Sequence, residues 1–127
     1  MSFEITRAFR FEAAHLLPKA PHGHKCRRLH GHSFVVELTV AGDLSSEGWV
    51  CDFADLASAW APLHDQLDHH YLNEVAGLEN PTSELLAAWI WTQIESTLPG
   101  LVAVRVAETC TASCIYRGPR DPGGGSS

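Results

Sequence analysis

No apolar run in the sequence approaches the ~18 residues that cross a bilayer; the longest is Leu85 to Trp91. A membrane protein is therefore not expected, and Met1-Ser2-Phe3-Glu4 lacks the basic and apolar regions of a secretory signal. Cysteine is sparse: Cys26, Cys51, Cys110 and Cys114 form no C-x2-C pair, so free thiols in a reducing, cytoplasmic setting are expected. Cations are few, 9 Lys and Arg against 15 Asp and Glu, for a net charge of -6. Reading a phosphate backbone needs a basic face, so nucleic acid is not the expected partner. Histidine is missing after His70, because all 8 lie between His15 and His70.

What is present is enough for one packed domain. The chain has 127 residues, 45% of them hydrophobic, and can bury a core without disulfides. Residues 1–118 read as that domain. Pro119 to Ser127, P-R-D-P-G-G-G-S-S, has almost nothing to bury and reads as a disordered tail.

Alternation of apolar and polar residues predicts strands over Phe3 to His15 and His32 to Val40. Arg7 interrupts the first apolar face, marking a bulge or an exposed edge. Between these strands lies a long loop, Leu16 to Leu29, of the kind that is usually functional. Trp49 to Phe53 reads as a further extended piece. Asp52 can cap a helix with an apolar stripe of Leu56, Trp60, Leu63 and Leu67, with Pro62 as a point of kinking. A second helix starts near Asn80-Pro81-Thr82, buries Leu85, Leu86, Trp89, Ile90 and Ile94, and ends at Pro99-Gly100. Leu101 to Thr109 and Ser113 to Arg117 complete a β-β-α-α-β-β order. The expected fold is α+β, an antiparallel sheet with both helices on one face.

His30-Gly31-His32 sends two imidazoles to the same side of an extended chain, with Gly31 keeping the space between them open. His15 ends the neighbouring strand, where antiparallel pairing can bring it beside them. Three neutral imidazoles and an open position suit catalytic zinc; exposed histidines at strand ends are the plain alternative. Cys26, four residues before His30, is open to three readings: a fourth ligand closing a structural site, a thiolate favoured by Lys25 and Arg27 and suited to act as a base or nucleophile, or a loop cysteine with no role. Asp68-His69-His70 follows the first helix, but adjacent side chains rarely hydrogen-bond each other, so a polar helix end is the default. Glu108 falls on the side of Val102, Val104 and Val106 and needs a partner, either a guanidine-like ligand edge or a structural Arg. Cys51, Cys110 and Cys114 read as small core or turn residues, and the tryptophans as packing anchors. Lys19, Lys25, Arg27 and Arg28 form either one anion site or a solvated basic loop.

Five ordered segments bear a resemblance: F-E-A-A-H-L (Phe11 to Leu16), C-x3-H-G-H-S (Cys26 to Ser33), L-D-H-H-Y-L-N (Leu67 to Asn73), N-P-T-S-E (Asn80 to Glu84) and E-T-C-T-A-S-C-I-Y-R-G (Glu108 to Gly118). Together they resemble the 6-pyruvoyl-tetrahydropterin synthase superfamily over nearly the whole chain to Gly118. The C-x3-H-G-H spacing is similar to its bacterial, carboxy-tetrahydropterin-forming branch of queuosine biosynthesis. The resemblance implies the tunnelling fold, a homo-oligomer with active sites at subunit interfaces. It implies a Zn2+-dependent lyase acting on a pterin triphosphate, 7,8-dihydroneopterin triphosphate, to give 6-carboxy-5,6,7,8-tetrahydropterin, acetaldehyde and triphosphate. Pyruvoyl-tetrahydropterin formation and a non-catalytic zinc or pterin-binding module remain as alternatives. His15, His30 and His32 match the zinc ligands, Cys26 the catalytic thiol, and Asp68 with His69 its partner dyad. Glu108 matches the pterin anchor, with Thr109, Thr82 and Ser83 lining the pocket. On charge, Lys25, Arg27 and Arg28 are candidates for holding the triphosphate.

Overall fold

The alternation at the start of the chain becomes two long strands in the computed structural model, which describes residues 2–108 and 111–119. Strand β1 (Phe3–His15) pairs antiparallel with β2 (His30–Gly42) in unbroken register, from Phe3 opposite Gly42 to His15 opposite His30. Arg7 therefore makes no bulge. Its Nη1 donates to the Phe53 carbonyl at 3.1 Å, and its guanidinium lies 5.6 Å from the Phe9 ring centre, on a stretch of β1 with no strand on its outer side among the described residues.

Helix α1 (Phe53–Leu67) begins where Asp52 Oδ1 accepts from the Ala54 N–H at 2.9 Å, as expected of a cap. Leu56, Trp60, Leu63 and Leu67 are buried as the stripe predicts. Pro62 lies inside the helix, which continues to Leu67; the carbonyl left without a helical donor belongs to Ser58, on the exposed side of the helix. The extended piece expected over Trp49 to Phe53 does not form. The chain bends there, Ser45 N–H bonds the Trp49 carbonyl at 2.9 Å, and the Asp52 cap draws Phe53 into α1. Trp49 is consequently 45% exposed, not a packing anchor.

After α1, β3 (His70–Tyr71) runs parallel to Ala13–Ala14 of β1, so the sheet is mixed and not wholly antiparallel as expected. A strand of two residues carries no readable period. Helix α2 (Ser83–Ile94) buries Leu86, Ala87, Ile90, Trp91 and Ile94. Leu85 is 48% exposed and Trp89 only half-buried, contrary to expectation. A helix apolar nearly all round does not reveal which stripe faces the sheet. It also stops before Pro99-Gly100, in turns that carry the chain into β4 (Leu101–Ala107). Gly100 is needed there, since a Cβ would lie 2.8 Å from the Ala41 carbonyl oxygen.

Strand β4 pairs antiparallel with β2 and with β5 (Ser113–Tyr116), giving the order β3-β1-β2-β4-β5. One face, bearing Phe11, Ala13, Phe34, Val36, Leu38 and Val104, packs under the two helices and forms the core. Among the described residues, no helix is long and apolar enough to cross a membrane.

Candidate metal centre and adjoining cleft

The register that opposes His15 to His30 also opposes Ala13 to His32, and the pleat sends all three imidazoles to the helix-covered face. Their ring centres are 4.6, 4.8 and 5.1 Å apart, and one nitrogen from each falls within a group spanning 4.8 Å. Phe34, fully buried, forms an apolar floor 5.6 Å from His15 and 5.7 Å from His32. Gly31 does not separate the imidazoles as expected: the pleat turns it to the opposite face, where a Cβ would meet only the Ala13 carbonyl oxygen, at 3.7 Å.

The tautomers follow from the partners. His15 Nδ1 lies 3.0 Å from the Pro81 carbonyl oxygen and His30 Nδ1 2.6 Å from that of Arg28. A carbonyl only accepts, so each Nδ1 carries the proton and each Nε2 a lone pair, the form that binds a metal. His15 is 1% exposed, and its Nε2 has no hydrogen-bond partner. Burial pushes the His15 pKa down, against the opposing pull of the Pro81 carbonyl and Glu108, which favours the neutral ligand form. A buried lone pair without a donor, aimed at two further imidazoles, fits a tetrahedral zinc site with an open fourth position.

Glu108, just past β4, brings Oε1 to 3.3 Å from His32 Nε2 and 3.5 Å from His15 Nε2, while Oε2 accepts from the Ser83 hydroxyl. Among the described residues, the charged partners of Glu108 are these two histidines and not an Arg. Arg105 lies on the other side of β4 and pairs with Glu37 at 2.9 Å. Thr82 is used as a cap, its Oγ1 accepting from the Leu85 N–H at 3.1 Å. Thr109 and Cys110 lie outside the described residues, as does 120–127.

Cys26 is not among the grouped ligand atoms. It sits in a one-turn helix, Lys25–Arg27, tied at both ends: its carbonyl accepts from Leu17 N–H at 2.6 Å and its N–H donates to His24 Nδ1 at 3.0 Å. Leu17 lies two residues beyond His15, and Arg28 holds the His30 ring, so Cys26 is anchored between the chain ends that present the histidines. Lys25 and Arg28 are exposed. Arg27, exposed as well, donates from Nη1 to the Pro18 and Ala20 carbonyls at 3.1 and 3.2 Å and so shapes the loop.

Asp68 and His69 are the uncommon case of sequence neighbours whose side chains bond, and so more than a polar helix end. His69 Nδ1 donates to Asp68 Oδ2 at 2.8 Å. The contact requires His69 to take φ 58, a left-handed conformation that histidine adopts more readily than most side chains. Two bonds from β1 hold it: His69 N–H to the Glu12 carbonyl at 2.6 Å, and Glu12 N–H to Asp68 Oδ1 at 2.9 Å. The carboxylate fixes the proton on Nδ1 and leaves Nε2 as a base, on a side chain 77% exposed. His64 Nε2 stands 3.7 Å from the same carboxylate.

The Glu12 N–H, followed by the His69 imidazole, pulls the Asp68 carboxyl below its ordinary value. A depressed carboxyl stabilises the fold above its unfolded pKa and loses that contribution as pH falls through the folded value. Asp68→Asn is expected to melt below wild type at pH 7, with the gap closing under about pH 4; a gap independent of pH would contradict the assignment.

His32 and His69 line one cleft of about 560 Å³, together with Gly31, Ser33 and Glu12. Ser33 Oγ donates to Glu12 Oε1 at 2.6 Å. Glu12, Pro81 and Asn73 escaped sequence reasoning, since two act through their backbone and none belongs to a recognisable ligand pattern.

A protein of Synechocystis sp. named 6-carboxy-5,6,7,8-tetrahydropterin synthase is 50% identical to this chain over 123 residues, covering 91% of this chain and 94% of that protein. One of Pyrococcus furiosus named dihydroneopterin monophosphate aldolase is 37% identical over 95 residues, covering 75% and 77%. The solved structure of Caenorhabditis elegans 6-pyruvoyl tetrahydropterin synthase superposes with a TM-score of 0.86 at 26% identity, covering 94% of this chain and 97% of that one. The α+β sheet with two helices is thus the tunnelling fold. With the family description 6-pyruvoyl tetrahydropterin synthase matched over residues 4–119, this chain belongs to that family.

Proposed function

We propose that the protein is a zinc-dependent lyase of this family that converts 7,8-dihydroneopterin triphosphate to 6-carboxy-5,6,7,8-tetrahydropterin with release of acetaldehyde and triphosphate, in queuosine biosynthesis. The observation that carries the reading is the convergence of the three imidazoles, with the orphaned His15 Nε2 among them. The 50% identity to the Synechocystis protein named 6-carboxy-5,6,7,8-tetrahydropterin synthase supports this reaction over the family's others.

Zinc held by His15, His30 and His32 would act as a Lewis acid on side-chain oxygens of the substrate. His69 Nε2 accepts a proton at the cleft, and Asp68 stabilises the resulting imidazolium and keeps the ring oriented. Cys26 is the second proton-transfer group, presented from its tethered turn. Glu108 anchors the pterin, its two oxygens accepting from the 2-amino-pyrimidine edge, with Ser83 fixing the carboxylate and Thr82 and Thr109 bounding the pocket. Lys25, Arg27 and Arg28 hold the triphosphate, Arg27 also shaping their loop through Nη1.

A homo-oligomer with active sites at subunit interfaces belongs to the same reading. It is supported by the outer edge of β1 from Phe3 to Phe11, which has no neighbouring strand among the described residues and offers unpaired backbone groups to another chain.

Metal removal tests the proposal. Chelation should abolish turnover of 7,8-dihydroneopterin triphosphate, and one equivalent of zinc per chain should restore it. Turnover indifferent to chelation would contradict the role of the three histidines.

A further inference from the structure

His15 is the last residue of β1, and what holds it is not the sheet alone. The β1–β2 pairing ends at His15 opposite His30, and β3 reaches only to Ala14. Leu16, the next residue, has left the ladder, and a backbone N–H and carbonyl at that point need partners. Both find the same side chain. Asn73 Oδ1 accepts from Leu16 N–H at 3.0 Å, and Asn73 Nδ2 donates to the Leu16 carbonyl at 2.9 Å. One side-chain amide thus continues the strand by one residue, as a paired backbone would.

The same Nδ2 donates to the Glu79 carbonyl at 3.3 Å. Glu79 lies two residues before Pro81, whose buried carbonyl orients the His15 ring. Asn73 therefore ties together the backbone that follows His15 and the segment that fixes its imidazole. Beyond Leu16, Leu17 N–H bonds the Cys26 carbonyl, so the same clamp sets the base of the loop that presents Cys26.

We infer that Asn73 is a positioning residue of the metal centre, holding His15 at the angle at which its Nε2 meets those of His30 and His32. The inference rests on the metal reading above. It is specific to an amide: an acid at this position would set oxygens against the carbonyls of Leu16 and Glu79, where only a donor fits.

The test is the zinc dissociation constant of the full chain, measured against a chromophoric chelator for wild type, Asn73→Ala and Asn73→Asp. The absorption of the cobalt-loaded proteins serves as a second reading, of ligand geometry. Loss of a group that orients a ligand weakens metal binding by roughly 10- to 100-fold. That loss is expected in both variants, with an altered cobalt spectrum and an apo chain still folded by circular dichroism. Should Asn73→Ala not fold, Asn73→Asp, which keeps an acceptor for Leu16 N–H, carries the measurement. Zinc affinity and cobalt spectrum unchanged, with only a lower apo melting temperature, would overturn the inference and leave Asn73 a residue of the fold. A wild-type chain that takes up no zinc would overturn the metal reading itself, and this inference with it.

Discussion

Cys26→Ala is expected to bind zinc as wild type does and to lose turnover by about 10²- to 10⁴-fold, the range for removal of a positioned proton-transfer group. The expectation combines two observations. The thiol lies outside the group of metal-facing atoms, so its loss subtracts no ligand. Its backbone is nevertheless fixed at both ends, by Leu17 N–H and by the His24 ring, between the chain ends that carry the histidines. That placement suits a group that must be presented repeatedly in one position. Metal content and single-turnover kinetics on the same preparation decide the matter. Loss of zinc together with activity would make Cys26 a fourth ligand and the site a closed, structural one.

Glu108→Ala is expected to keep zinc and to weaken pterin binding by about 1.5–3 kcal/mol, roughly ten- to a hundredfold, as fits hydrogen bonds to a charged acceptor. Glu108→Gln, which converts half of the carboxylate into a donor, should lose affinity in the same direction. The carboxylate is held on one side by the Ser83 hydroxyl, while its other oxygen faces His15 and His32 at 3.5 and 3.3 Å, both too long for strong bonds. Direct binding of a product pterin separates this effect from turnover. If zinc is lost from Glu108→Ala while pterin affinity stands, the carboxylate belongs to the metal centre and not to the substrate.

The two central strands were legible because alternation has a period, and the histidines on them because the same period fixes their side. His30 and His32, two apart, share a face, and His15 opposite His30 completes the group through register alone. What escaped has no period. The two residues of β3 are too few to show one, and their parallel pairing depends on where α1 delivers the chain. Leu85 and Leu86 are indistinguishable in composition, and only the sheet beneath α2 selects the second. The Asp68–His69 contact depends on one left-handed residue, made possible by two backbone bonds from Glu12, more than fifty positions earlier.

The site therefore divides into side chains placed by strand geometry and backbone groups placed by loops. Sequence patterns report the first kind. Pro81, Arg28 and Glu12 contribute carbonyls or an N–H, which any residue possesses, and their roles emerge only with the chain folded around them.

The most direct measurement is the identity of the products formed by the zinc-loaded protein from 7,8-dihydroneopterin triphosphate, followed by mass spectrometry. The account predicts 6-carboxy-5,6,7,8-tetrahydropterin with acetaldehyde in equal amount. A pterin that keeps its three-carbon side chain, or no turnover with the metal in place, would contradict it.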